Sequence, residues 1–217
     1  MWTELPAGFN RGHAYRDCVA PGDAGQWISA FYAGRYRHSG AEVWRQRLAA
    51  GEIDRNGQRL QADGALAAGD QLIWYRPPWQ EPAVPELPGP LFDDGDLLVF
   101  NKPSGLPVLP AGGFLKHTLL AQLQALAPAA RPVHRLGRFT SGLLVCARRP
   151  ATRSWLSAQL RDSTSGSEAP VAFGSCRKLY RALCEPLSSD WAIGESRVIT
   201  SAIGKRPHPL LGEIWCM

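Results

Sequence analysis

The chain has 217 residues, 45% hydrophobic and 20% charged, which are values of folded globular proteins and exclude wholesale disorder. No stretch approaches the ~20 consecutive apolar residues of a membrane span, and the opening MWTELPAGFNRGHAYRD carries no apolar core of a secretory signal. The net charge of +5 is unevenly spread: residues 1–90 hold 9 Lys+Arg against 10 Asp+Glu, and residues 91–217 hold 15 against 9.

In chain order, the first predicted element is a helix starting near Ser39, an N-cap with Glu42 three residues on, carrying Val43, Trp44, Arg47 and Leu48 and ending at Gly51. Ile53 leads into Asn56-Gly57, a two-residue hairpin turn. Ala68-Gly69-Asp70 then turns the chain into a strand over Gln71–Tyr75. Arg45, Arg47, Arg55 and Arg59 are either phosphate contacts or solvated arginines, and the stem of Arg47 can cover apolar surface beside Leu48. Residues 76–90, RPPWQEPAVPELPGP, hold six prolines and read as an extended linker. The chain thus divides into a module over 1–76, a linker over 77–90 and a domain over 91–217.

In that domain, Leu97–Asn101 reads as a strand and Lys102-Pro103-Ser104-Gly105 as a turn. Leucines 119, 120, 123 and 126 have helical spacing. Leu143–Ala147 is a second apolar strand and Ala151–Leu160 a helix. Ser163–Ser175 is a small-residue polar loop, and Lys178–Cys184 a further strand. Mixed strands and helices with long connections imply an α+β fold. From Leu97 to Arg161 there is no Asp or Glu, against nine cations: Lys102, Lys116, Arg131, Arg135, Arg138, Arg148, Arg149, Arg153 and Arg161. That imbalance suits a surface facing a polyanion, most simply nucleic acid; the plainer alternative is a domain whose acids lie elsewhere. Five cysteines, odd in number and without CxxC spacing, favour neither a disulfide framework nor a zinc site and fit a reducing cytoplasm. No dinucleotide fingerprint, phosphate loop or Ser-His-Asp arrangement stands out.

The most informative stretch is PVHRLGRFTSGLLVCARRP, Pro132 to Pro150. It resembles the central motif of the RluA-type RNA pseudouridine synthases, His-Arg-Leu-Asp followed by Thr-Ser/Thr-Gly and an apolar strand. LLVFNKPSGLPVLPAGG (Leu97–Gly113) is similar to the family's first motif, and RKLYRALCEP (Arg177–Pro186) to its Lys-x-Tyr strand. The segment VWRQRLAAGEIDRNGQRL…LAAGDQLIWYRPPW resembles the alpha-L RNA-binding motif. These resemblances imply a helix-plus-hairpin RNA-binding module before a mixed-sheet catalytic-type domain, and isomerisation of uridine in ribosomal or transfer RNA without metal or organic cofactor. They also imply structured RNA as partner and a role for Tyr180 under the target base. Arg135, His134, Arg138, Lys102, Arg47 and Arg55 become the expected RNA-binding residues.

The family's chemistry uses an Asp carboxylate, as nucleophile on the sugar or as base, while the uridine is drawn out of its stack. At that position this chain has Gly137. Asp93, Asp94, Asp96, Asp162, Glu185 and Glu195 are the nearest acids and read better as surface or turn residues. The segment in which the family carries an arginine partner for its Asp has no counterpart before Met217, so a C-terminally truncated domain is expected. Three readings stay open: an active synthase, a non-catalytic RNA-binding protein, and a decayed remnant of a synthase.

Overall fold

The computed structural model describes residues 3–162, 178–182, 194–195, 204–208 and 212–216. It separates into two units, 1–177 and 178–217. The first unit contains two apolar cores.

The N-terminal core is built on a four-stranded antiparallel sheet. β1 (Glu4–Leu5) and β2 (Gly8–Phe9) precede β3 (His13–Cys18), and α1 (Ile28–Arg35) and α2 (Ala41–Ala49) follow. β4 (Ile53–Arg55), β5 (Gln58–Arg59) and β6 (Gln71–Arg76) complete the sheet in the order β3-β6-β4-β5. Residues 13–18, which carried no assignment from sequence, are therefore a strand of this sheet, paired along the whole of β6. α2 begins one residue later than its pattern suggested: its N-cap is Gly40, and no side chain caps it. Gly51 past its end is left-handed (φ 69°), and Asn56 and Gly57 (φ 52° and 81°) make the hairpin turn their types predict. The core is aromatic. Tyr32 stacks on Trp44 at 4.6 Å, Trp44 meets Trp74 edge-on at 4.7 Å, and Tyr15 stacks on Trp74 at 5.0 Å.

The Pro-rich segment is packed rather than extended through solvent. β7 (Gln80–Glu81) pairs with β2, and β8 (Val84–Pro85) with β1. Val84 and Leu87 enter the second core. That core lies between a second antiparallel sheet and a helix. Its strands are β9 (Phe92–Asp93), β10 (Leu97–Lys102), β11 (Arg131–Pro132) and β12 (Gly142–Ala147), in the order β11-β12-β10-β9. α3 (Leu119–Leu126) is capped by Thr118, whose hydroxyl accepts from the Ala121 amide at 3.2 Å, and buries Leu119 and Leu123 against the sheet. α4 (Pro150–Asp162) follows β12. In the second unit, β13 (Gly204–His208) and β14 (Gly212–Cys216) pair antiparallel. Residues 178–182 have no regular structure, in contrast to the expected strand; Ser163–Ser175, Glu185 and the remainder of that strand lie outside the described residues.

Glu81 ties these parts together. It is fully buried, and its carboxylate accepts the backbone amides of Leu115, Lys116 and His117 and the amide group of Asn10, at 2.7–3.1 Å. Burial alone would raise its pKa; the N–H donors outweigh that and hold it below the usual carboxylate range. A group depressed in the folded state contributes stability above its unfolded pKa and loses it as pH falls through the folded value. Glu81→Gln is expected to lower stability at neutral pH by about 2 kcal/mol, with the difference from wild type shrinking below pH 4. Urea unfolding at pH 7 and pH 3.5 measures both.

Candidate functional site

The loop from His134 to Ser141 leaves β11 and returns into β12, and it is held at the Lys102 end of β10. Along β10 the side chains alternate. Leu98, Phe100 and Lys102 all face the core, so the period of the strand carries a lysine into an apolar interior. Lys102 is 0% exposed. Its ammonium donates to the carbonyls of Pro103, Leu106 and Arg138 at 2.9, 2.8 and 3.0 Å. Burial pushes its pKa down to about 8, so at neutral pH it keeps the three protons this geometry uses. Two further bonds close the same seam. The Gly105 amide donates to the Arg138 carbonyl at 2.9 Å, and the Ser104 hydroxyl donates to the Phe139 carbonyl at 2.8 Å.

Arg138 answers from the loop. Its Nε donates to the Gly105 carbonyl at 3.0 Å, and its guanidinium lies 4.6 Å from the Phe114 ring and 4.9 Å from Phe139. His134 is pinned to the sheet: its Nε2 accepts the Val145 amide at 3.1 Å. The Thr140 amide donates to the Gly137 carbonyl at 3.1 Å, so this turn is closed by backbone. Gly142 has a φ of 123°, a conformation suited to glycine. Arg135 is exposed and has no hydrogen bond or ion pair among the described residues.

At the centre stands Gly137. A Cβ built there would meet only the Thr140 hydroxyl, at 3.2 Å, and the backbone is not left-handed. The position therefore admits a side chain once a single rotor shifts. The nearby acids are spent elsewhere. Asp93 accepts both terminal nitrogens of Arg148 at 2.7 and 2.8 Å, and that pair holds its pKa down at about 2. Asp94 accepts the amides of Asp96 and Leu97. Asp96 accepts the Thr152 hydroxyl at 2.6 Å and the Arg149 amide at 2.8 Å. All three lie at the Leu97 end of β10, about 17 Å of strand from the Lys102 end at ~3.3 Å per residue.

The other expected RNA contacts are dispersed. Lys102 is turned inward and meets no solvent. Arg55 is bound to the Asp70 carboxylate at 2.6 Å and the Ala65 carbonyl at 3.0 Å. Arg47 lies over Trp44 and Trp74, 4.3 and 4.6 Å from the rings, with its Nη1 buried and unpartnered. Arg45 pairs with Glu42, and Arg59 with Asp54. Tyr180 belongs to the second unit and is 64% exposed. Of the nine cations from Leu97 to Arg161, Arg131 and Arg153 bond only carbonyls. Arg148 and Arg149 pair with Asp93 and Asp96. Lys116, Arg135 and Arg161 are left without a side-chain partner among the described residues. Residues that sequence reasoning passed over include Ser104, Phe114 and Glu81; the proline-rich context of Glu81 hid a buried carboxylate. Among the described residues, no group of three or more His, Cys, Asp or Glu is placed to hold a metal ion, and no helix is long and apolar enough to cross a membrane.

Residues 96–208 match the family described as RNA pseudouridylate synthase. An uncharacterized RNA pseudouridine synthase of Synechocystis is 40% identical over 187 residues, 85% of this chain and 59% of that protein. RNA pseudouridine synthase 5 of Arabidopsis thaliana is 34% identical over 229 residues, 96% of this chain and 60% of that protein. Ribosomal large subunit pseudouridine synthase C of Vibrio vulnificus is 33% identical over 157 residues, 65% of this chain and 49% of that protein. The chain thus spans about three fifths of the length of the first two relatives.

Lys102→Met removes three donors, leaves the buried Pro103 and Leu106 carbonyls unpaired and leaves the Arg138 carbonyl with the Gly105 amide alone. Thermal or urea unfolding should show a loss of about 2–4 kcal/mol. Hydrogen exchange should rise first at the Gly105 amide, which shares the Arg138 carbonyl with the lysine.

Proposed function

The chain belongs to the RNA pseudouridylate synthase family, as an RluA-type member, and from that premise we propose that it binds uridine in structured RNA, ribosomal or transfer, through its Gly137 loop without isomerising it. The observation that carries this reading is the glycine at position 137, with Asp93, Asp94 and Asp96 engaged at the far end of β10. Breaking the N1–C1′ bond of uridine needs an anionic oxygen to attack or stabilise the sugar carbon. A methylene hydrogen cannot supply it. What the loop does supply is cationic and planar. Arg135, exposed beside Gly137, has a guanidinium that stacks on a base and bonds a phosphate at once. The helix-plus-hairpin module over residues 1–76 is read as a second RNA contact. The scattered cysteines fit a cytoplasmic setting.

A second reading is favoured by the relatives, which are named as synthases. The chain then isomerises uridine with a carboxylate from outside residues 3–162. Tyr180, the residue matching the family tyrosine, lies outside that range.

Tritium release from C5-labelled uridine in transcribed RNA separates the two. No release above background is expected from the wild-type chain, and measurable release from Gly137→Asp, because residue 137 has room for the side chain. Multiple turnover by the wild type overturns the first reading in favour of the second. RNA affinity should fall steeply between 50 and 200 mM salt, and Arg135→Gln should reduce the slope of log K against log salt by about 1.

A further inference from the structure

A cavity of about 700 Å³ lies between the two cores of the first unit. On one side it is lined by Tyr15, Tyr36, His38, Trp74 and Arg76, and on the other by the loop 110–115. Its volume is within the range of small-molecule sites, ~300–1,000 Å³. No carboxylate lines it. We propose that this cavity takes one unpaired nucleobase of the bound RNA, next to the nucleotide held at the Gly137 loop. The inference deepens the function proposed above and rests on it.

Three observations support a base rather than an aliphatic group. The walls are flat. Tyr15 lies on Trp74 at 5.0 Å with 19° between the rings, and Tyr36 closes against both. The Tyr36 hydroxyl is already donated to Asp17 at 2.9 Å, so this residue offers its ring and not its oxygen. Stacking on such rings tolerates any base. The rim is cationic. The Arg76 guanidinium sits 3.5 Å from the Trp79 ring centre and spends one recorded hydrogen bond, a long one of 3.4 Å, on the Gly112 carbonyl. Most of its five donors therefore remain for a phosphate. His38 is exposed at the same rim.

The third observation is position. Phe114 lines the cavity and also lies under Arg138, at 4.6 Å, one residue from Gly137. The facing loop is held by the proline-rich segment: Trp79 Nε1 donates to the Gly113 carbonyl at 2.8 Å, and Glu81 fixes the amides of residues 115–117. The cavity and the Gly137 loop thus share one wall, and a chain crossing Phe114 can reach both.

The test uses the full chain with two RNA hairpins, identical but for one bulged nucleotide. Wild type should bind the bulged hairpin at least tenfold more tightly. His38→Ala, at an exposed residue, and Arg76→Gln should each cut that preference to threefold or less with their melting temperatures retained. Independently of any variant, 4-thiouridine placed in the bulge should cross-link to Tyr15, Tyr36 or His38. Equal affinity for the two hairpins, a preference unchanged in both variants, or cross-links confined to residues 134–141 overturns the proposal, and the cavity then fits a protein side chain better. Absence of affinity for either hairpin overturns the parent reading and this one with it. A retained affinity without bulge preference removes this one alone.

Discussion

The first unit's site depends on a lysine ammonium placed where a hydrocarbon would be expected. An ionised group taken from water into an apolar interior is costly unless its donors are satisfied. Lys102 meets that condition with carbonyl dipoles from the turn that follows its own strand and from the loop after Gly137. The charge therefore dictates the geometry: two segments 36 residues apart must present oxygens to one point. No carboxylate takes part. The loop owes its shape to backbone groups and to Arg138, and the side chain at residue 137 contributes nothing to holding it. A glycine there leaves the frame around it intact.

The same economy explains where the positive charge goes. A stretch of 65 residues without an acid looks like a polyanion-binding face when written as a string. Folded, much of that charge is bound to the protein's own oxygens. Arg131 and Arg153 satisfy carbonyls at the ends of α3 and around β12, and Arg148 and Arg149 reach back to acids that precede the stretch by only a few residues. Arg135 stands out because it is next to the loop's centre and is not used in this way.

How much of this was legible in the sequence follows from the range of each signal. Local signals carried well. Asn56-Gly57 specified its turn and the leucines of α3 their face, because each depends on residues within one or two turns of chain. Lys102 was read as a turn residue contacting RNA, although Leu98, Phe100 and Lys102 keep the period of two of one strand face. The charge of a lysine argues for exposure, and only the carbonyls supplied from residue 138 reverse that argument. Ser39 lost the capping position to Gly40, the extended residue (φ −74°, ψ 169°) from which the helix starts. The prolines of 77–90 pointed to an extended spacer. They do extend the chain, yet β7 and β8 pair with β2 and β1, four short strands whose pairing no local pattern announces. The glycine at position 137 was plain from the motif alone. That Asp93, Asp94 and Asp96 face away from it required the register of β10 against β12.

Glu81 has a consequence for how this architecture can be taken apart. Its carboxylate gathers a side chain from residue 10 and three amides from residues 115–117, so strands on either side of the presumed joint share one buried anion. Cutting there would strand that anion among donors with nothing to receive, or donors with nothing to give to. The front part of this chain is accordingly not a portable cassette. Grafting it onto another enzyme, or recombining it at the proline run, requires carrying the receiving loop along.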